Sequence, residues 1–340
     1  MRKVLAIVLI ITMAFSFASC KKKVYISESS EPTLERPTIE KNLDNGHESS
    51  EIIMSSLADK LGITHENYPI IDGSTSTLGI VEGINRVMYE DNKNGNWPET
   101  ASKTVPSYKL LINDEVDMII VPYASSDVLS LAEDSGVELE FFQIAAEALI
   151  FITPIENQTE NITMEQVRKI YLDYGINNWS ELGGPDREII PICRNADSGS
   201  QSQLDNLILM DQKMHSDIEK NYVELTMEGM LEQVAFYHSG GLDGSPTQSY
   251  ALGYTLYTYL KNTGSITGID EELKMLAFES VLPSEKSIAD GSYPLADGYY
   301  VVIRKDLPQD HSARSVIDWL KSGDAQDMIK ELGFIPANEE

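Results

Sequence analysis

Short apolar runs alternate with amphipathic segments along most of the chain. Residues 118–121 form a continuous, β-branched apolar run, which is typical of a strand buried on both faces. Residues 78–88 place apolar side chains at helical spacing, which predicts a helix. Further strands are predicted at 68–71, 137–142, 148–153, 189–193, 250–254 and 299–303, and further helices at 51–61, 128–132, 163–170, 204–208, 227–237, 313–320 and 325–332. This alternation predicts an α/β protein with largely parallel sheets.

The first 50 residues have a different pattern. Arg2 and Lys3 precede an apolar run over residues 4–18, which is shorter than the roughly 20 residues that span a bilayer and matches a signal-peptide core. The small residues before Cys20 resemble the bacterial lipobox, in which the cysteine is lipidated, for example with palmitate, and becomes the mature N-terminus. Residues 1–19 are therefore predicted to be a lipoprotein signal peptide, with an ordinary secretory signal as the alternative. Residues 20–50, polar and rich in Glu and Ser, are predicted to be a disordered tether.

Composition and charge narrow the range of functions. The chain carries 54 acidic and 26 basic residues, a formal net charge of −28, which argues against a protein that grips nucleic acid. Two cysteines cannot build a disulfide framework, and the second, Cys193, is predicted to be a small buried side chain. Five scattered histidines predict no metal site, and no pattern predicts a cofactor.

Candidate chemistry is concentrated where three predicted strands lead into helices through clusters of serine and threonine. A helix N-terminus offers unpaired N–H donors and a partial positive charge, so several of them around one cleft would hold a small oxyanion without net positive charge. Arg194, in the third junction, would add a planar, two-pronged donor. Any single junction is also explained as an ordinary helix cap. The three junctions are Asp72-Gly73-Ser74-Thr75-Ser76, Ala124-Ser125-Ser126-Asp127, and Arg194 with Ser198-Gly199-Ser200.

These segments resemble motifs of a known family. The first and third junctions, together with residues 170–184 and 251–254, look like the corresponding motifs of the phosphate-binding proteins of ABC transporters, the PstS type. The resemblance runs from about residue 68 to residue 336. It implies a two-lobed, periplasmic-binding-protein-like (type II) α/β fold with a hinge and an interlobe cleft. Lobe 1 would contain residues 51–147 and 262–340, and lobe 2 residues 148–261.

The resemblance also implies which residues contact the ligand. These are Ser74, Thr75 and Ser76 from the first junction, Ser125 from the second, and Arg194, Ser198, Gly199 and Ser200 from the third. Family members place a carboxylate in the site to accept the proton of hydrogen phosphate. The same carboxylate excludes the fully ionised sulfate, which has no proton to donate. The chain departs in register from the family pattern at the second and third junctions, so Asp72, Asp127 and Asp197 all remain candidates for this role.

The implied function is an extracytoplasmic lipoprotein, anchored to the membrane through lipid on Cys20, that captures inorganic phosphate for the permease of an ABC importer. Such a protein is not an enzyme and needs no covalent chemistry. One alternative is a surface-anchored oxyanion sensor or interaction protein on the same fold. A secreted hydrolase that uses Ser198 or Ser200 is a more distant alternative. The chain lacks a Gly-x-Ser-x-Gly elbow, and nothing places His215 or His238 beside a serine.

Overall fold

The structure, a computed structural model, describes residues 53–90, 101–210, 212–237 and 248–337. The predicted signal peptide (residues 1–19) and the predicted tether (residues 20–50), which includes Cys20, lie outside these residues. Within them, no helix has the length and apolar character needed to cross a membrane.

Strands and helices alternate along the described chain. The strands are β1 (Ile71–Gly73), β2 (Met118–Pro122), β3 (Leu139–Pro154), β4 (Asn161–Ile162), β5 (Glu188–Pro191), β6 (Cys193–Arg194), β7 (Val223–Glu224), β8 (Ser249–Leu256), β9 (Leu273–Met275), β10 (Ala277–Phe278), β11 (Ala296–Arg304) and β12 (Ile335–Pro336). The α-helices are α1 (Ser56–Leu61), α2 (Leu78–Met88), α3 (Thr104–Ile112), α4 (Ser126–Asp134), α5 (Met164–Tyr171), α6 (Gly199–Leu204), α7 (Ser216–Asn221), α8 (Met227–Phe236), α9 (Tyr257–Thr267), α10 (Glu285–Ala289), α11 (Ser312–Leu320) and α12 (Gly323–Glu331). A 3-10 turn, Thr75–Thr77, leads into α2, and a π-helical turn, Asp205–Leu209, extends α6.

The main sheet is mixed, in the order β1-β2-β11-β3-β8-β5. The pairs β1–β2 and β5–β8 are parallel, whereas β11 runs antiparallel to both β2 and β3, and β3 runs antiparallel to β8. The prediction of largely parallel sheets is therefore wrong for the centre of the sheet. Burial on both faces produces the same apolar run whichever way the neighbouring strands point, so the pattern does not report strand direction.

The strands predicted at 137–142 and 148–153 are one continuous strand, β3, of 16 residues. Its first part pairs with β11 as far as Ala148, and its second part pairs with β8 from Leu149 onward. The polar residues Gln143 and Glu147 interrupt the apolar pattern, which is why two separate strands were predicted. The strand continues because Glu147 is buried and hydrogen-bonded rather than placed in a loop.

Strand β3 contributes residues to two large apolar cores, one along its first part and the other along its second part. One core contains Ile144 and Ala145 and packs against α2, α11 and α12. The other contains the apolar β3 residues between Ala146 and Ile152 and includes Trp179. Strand β8 crosses in the same way, because Tyr254 belongs to the second core and Leu256 to the first. The two lobes thus share a sheet whose strands pass from one core to the other.

Thr163, where the helix predicted at 163–170 begins, caps α5. Its Oγ1 accepts from the N–H of Gln166 at 3.3 Å, while the Gln166 side chain accepts from the N–H of Thr163 at 2.9 Å. We expect Thr163→Ala to lower the free energy of unfolding by about 1 kcal/mol, because two N–H donors of α5 lose this arrangement. Urea denaturation measures the change. Ser130→Ala, on the exposed face of α4, is the control, and an equal loss in both variants would contradict the assignment.

Candidate anion-binding site

A cavity of about 240 Å³ lies where the N-termini of four helices meet. The helices are α2 with its preceding 3-10 turn, α3, α6 and α8. Six of the eight predicted ligand residues line the cavity: Ser74, Thr75, Ser76, Arg194, Ser198 and Gly199. The remaining lining residues are Lys103, Thr104, Asp197, Leu225, Thr226, Met227, Glu228 and Tyr259. The first and third junctions therefore come together in space, although more than 110 residues separate them in the chain.

The first junction is held in place by its own hydroxyl groups. Ser74 Oγ lies 3.0 Å from both Ser76 Oγ and Thr77 Oγ1, and Thr77 Oγ1 donates to the carbonyl of Ile120 on β2. Glycine is required at position 73, since a Cβ there would lie 2.9 Å from the Ile120 oxygen. This close approach of the turn to β2 leaves the N-terminus of the helix facing the cavity.

The third junction presents hydroxyl groups at the start of α6. Ser198, the residue before the helix, makes no side-chain capping bond, so its hydroxyl is not committed to the helix. Its Oγ lies 3.0 Å from that of Ser200, which is fully buried and does not line the cavity. Ser200 therefore contacts Ser198 rather than the cavity itself.

Arg194 is buried, with 6% of its surface exposed. Its Nε donates to the carbonyl of Glu224 at 3.0 Å and its Nη2 to that of Leu225 at 3.4 Å, while its Nη1 has no partner. Within the described residues it forms no ion pair, and burial lowers its pKa. The carboxylate of Glu224 is turned away to accept from the N–H of Leu225 at 2.8 Å. A buried guanidinium with an unpartnered nitrogen at a cavity wall is a site for an anion.

The N-terminus of α3, which the sequence analysis missed, also reaches the cavity. Lys103 has φ 75° and ψ 170°, a backbone conformation almost restricted to glycine, so the chain is strained at this point. Thr104 Oγ1, next in the chain, is buried without a hydrogen-bond partner. The signal was present in the sequence, because a threonine followed two residues later by Pro106 is typical of a first helical turn.

The N-terminus of α8 is the fourth helix end at the cavity. The helix was predicted at 227–237, but its start was not connected with the site. Thr226 caps it, accepting from the N–H of Gly229 at 2.9 Å, and Glu228 brings a carboxylate to the cavity. Two basic residues, Lys103 and Arg194, and two acidic residues, Asp197 and Glu228, therefore line the same space.

The second junction does not reach the cavity. Ser125 precedes α4 as predicted but is not among the lining residues, because α6 covers the end of β2. Asn206 donates to the carbonyl of Ala124 at 3.0 Å, and Gly199 packs against Pro122.

The three candidate carboxylates lie in different places. Asp197 lines the cavity. Asp72 is buried nearby, where its Oδ2 accepts from Ser107 Oγ at 2.8 Å, and it does not line the cavity. Asp127 is exposed on the first turn of α4. Position alone therefore favours Asp197 among the three.

Comparison with known proteins agrees with this geometry. The family described as the PBP superfamily domain matches residues 70–324, which is most of the chain. The chain belongs to the PBP superfamily. Among the relatives of this PBP superfamily protein, the phosphate-binding protein PstS of Borreliella burgdorferi is 29% identical over 273 residues, covering 80% of this chain and 90% of that one.

Solved structures show the same fold. An ABC-type phosphate transport receptor from Vibrio cholerae matches with a TM-score of 0.56 and 23% identity, covering 78% of this chain and 98% of that one. PstS from Borrelia burgdorferi matches with a TM-score of 0.50 and 25% identity, covering 79% and 98%. The resemblance to PstS-type proteins and the two-lobed α/β fold that it implied are confirmed.

Proposed function

We propose that the protein is an extracytoplasmic receptor that captures inorganic phosphate between its lobes and delivers it to the permease of an ABC importer. The observation that carries the proposal is the buried Arg194, whose Nη1 has no partner at the wall of a cavity ringed by helix N-termini. The similarity to PstS of Borreliella burgdorferi supports phosphate as the anion. Lipid on Cys20 would hold the receptor at the membrane, as predicted from the lipobox resemblance.

The cavity supplies the groups that a tetrahedral oxyanion needs. Backbone N–H groups and the hydroxyls of Ser74, Thr75 and Ser198 would donate from opposite lobes, and Arg194 would donate from its unpartnered Nη1. Lys103 would add a second positive charge. The net charge of −28 does not oppose this, because distant surface carboxylates are screened over about 8–10 Å in salt. No step requires a covalent bond to the protein.

Ligand binding would close the lobes. We propose the boundaries of the sequence analysis, with 51–147 and 262–340 as lobe 1 and 148–261 as lobe 2. Ser74, Thr75 and Lys103 then belong to lobe 1, and Arg194, Ser198 and Thr226 to lobe 2. An anion bound between them contacts both sets only when the lobes are together, so it stabilises the closed form by the difference in its affinity for the two forms.

The hydrolase alternative has no support in the site. His215 caps α7, where its Nδ1 accepts from the N–H of Asp217 at 3.3 Å, and it does not line the cavity. His238 lies outside the described residues. In the part of the chain that the structure describes, no histidine lines the cavity beside Ser198.

We expect the protein to bind phosphate with micromolar or tighter affinity and to exclude sulfate. A desolvated carboxylate that meets the oxygens of sulfate has no proton to accept, and this mismatch costs about 1–3 kcal/mol or more. We assign the role to Asp197, so Asp197→Asn should strengthen sulfate binding at least about tenfold relative to phosphate. Calorimetry with both anions measures the ratio.

Asp127→Asn is the matched control, because this aspartate is exposed and outside the cavity. Its phosphate-to-sulfate ratio should equal that of the wild type. Absence of heat with phosphate in the wild type would contradict the proposed function. Unchanged selectivity in Asp197→Asn, with normal phosphate binding in the wild type, would instead remove only the role of Asp197.

A further inference from the structure

The motif at residues 251–254 does not line the cavity, yet its last residue, Tyr254, contacts Arg194, which does. Tyr254 lies within β8, paired with Phe151 of β3, and is fully buried. Its ring packs edge-on against the rings of Phe151, at 6.4 Å between centroids, and Tyr171, at 5.8 Å. The hydroxyl group at the end of this ring therefore has a position fixed by the sheet and by the core around it.

The hydroxyl of Tyr254 joins the two ends of the third junction. It accepts from the backbone N–H of Arg194 at 2.8 Å and donates to Oε1 of Gln201 on α6. The amide of Gln201 is oriented in turn, because its Nε2 donates to Oδ1 of Asp205 at 2.8 Å. Burial raises the pKa of Tyr254, so the hydroxyl keeps the proton that it donates to Gln201.

The backbone at Arg194 depends on this bond, since the strand that carries it has only two residues. The N–H of Cys193 donates to the carbonyl of Tyr222, just before β7, at 3.0 Å. The next N–H, that of Arg194, has the hydroxyl of Tyr254 as its partner. A buried N–H group without a partner is costly, so this bond holds the chain at the arginine in place.

The other end of the connection lies on the helix that brings hydroxyl groups to the cavity. Ser198 and Gly199 line the cavity at the start of α6, and Gln201 follows in the same short helix. One hydroxyl group thus contacts the backbone of the arginine and the helix that follows it. It thereby fixes the spacing between Arg194 and Ser198.

We propose that Tyr254 is a positioning residue for phosphate binding, which sets Arg194 relative to Ser198 and Gly199 through Gln201. The proposal rests on the proposed function, because it takes those residues to hold the anion. Tyr254 and Gln201 do not line the cavity, so they act on the anion through the residues that they hold. Donors that must all reach one small anion tolerate little change in their spacing, and spacing fixed beforehand lowers the cost of binding.

Tyr254→Phe tests this role in the full chain, because it removes the hydroxyl and keeps the ring in the core. Calorimetry with inorganic phosphate should show a dissociation constant raised roughly 3- to 30-fold. Tyr171→Phe is the matched control. Tyr171 is also fully buried, and its hydroxyl donates to the carbonyls of Ile192 at 3.0 Å and Leu252 at 3.2 Å. This variant should lower the unfolding temperature of the free protein and keep the wild-type dissociation constant.

A merely structural role of Tyr254 would move the unfolding temperature alone, and an equal rise in the dissociation constant of Tyr171→Phe would overturn the inference. A second measurement asks whether the hydroxyl acts through the arginine. In the Arg194→Ala background, Tyr254→Phe should raise the dissociation constant by a smaller factor than in the wild type, because the guanidinium that it positions is gone. The same factor in both backgrounds would also overturn the inference.

Gln201→Met breaks the other half of the connection, since it removes the acceptor of the tyrosine hydroxyl and leaves the bond from the N–H of Arg194 in place. It should also raise the dissociation constant, and adding it to Tyr254→Phe should change little, because both variants break the same link. Should Tyr254→Phe fail to fold, Gln201→Met decides the question by its affinity.

The outcomes separate the two proposals. A wild type that does not bind phosphate would overturn the proposed function and this inference with it. A wild type that binds phosphate, with unchanged affinity in Tyr254→Phe, would overturn the inference alone.

Discussion

Arg194→Ala is expected to weaken phosphate binding by about 1.5–3 kcal/mol, which raises the dissociation constant roughly 10- to 150-fold. The guanidinium is held by two carbonyl groups, those of Glu224 and Leu225, so it is oriented before the anion arrives. Its third nitrogen, Nη1, has no partner and is buried at the cavity wall. The anion would therefore gain a charge-assisted bond without the cost of ordering a flexible side chain.

The loss should be specific to binding. Among the described residues Arg194 has no ion-pair partner, so its removal breaks no ion pair there in the free protein. Thermal unfolding without phosphate therefore separates a loss of phosphate binding from a loss of folding stability. Arg304→Ala is the control, because Arg304 pairs with Asp114 and Asp306 away from the cavity and should leave calorimetric affinity unchanged. Wild-type affinity in Arg194→Ala would remove this residue from the site.

Gly199→Ala is expected to weaken phosphate binding roughly 5- to 150-fold, the equivalent of the 1–3 kcal/mol that overpacking costs. A Cβ at this position would lie 2.7 Å from Cγ of Pro122 and 2.8 Å from Oγ1 of Thr104. Gly199 begins α6, in the proposed lobe 2, whereas Pro122 and Thr104 belong to the proposed lobe 1. The methyl group would act as a wedge between the lobes.

The added methyl group should affect closure of the lobes more than the stability of the fold. Opening the lobes relieves the contact, so the strain should be expressed in phosphate affinity and in a larger radius of gyration with phosphate, as measured by X-ray scattering. Gly323→Ala is the matched control, since a Cβ there meets no atom within 4 Å. Gly199→Ala with wild-type affinity and wild-type scattering would show that the lobes do not need this close approach.

Local sequence patterns were sufficient to predict much of the fold and part of the binding site. Apolar spacing predicted α2, β2 and most other elements, and the helix predicted from residue 163 begins at its cap, Thr163. Hydroxyl-rich junctions predicted that Ser74 and Ser198 mark helix starts, and both now line one cavity. These features depend on residues within one or two turns of each other, so neighbouring side chains in the sequence determine them.

The remaining features depend on contacts between distant segments. Strand direction in the centre of the sheet follows from the insertion of β11 between β2 and β3, and Ser125 is kept from the cavity by α6. Glu147 interrupts the apolar pattern, yet it is buried because Thr258, 111 residues later, supplies its donors.

What the sequence by itself determined was therefore the helix starts at its hydroxyl-rich junctions and the arginine that follows a buried strand. Only the tertiary structure decided which of those starts share one cavity, adding Lys103 and Thr226 and leaving out Ser125. The physical reason is that hydrogen bonding within a turn is local, whereas a binding cavity is defined by the packing of whole lobes. That packing depends on which distant side chains become buried together.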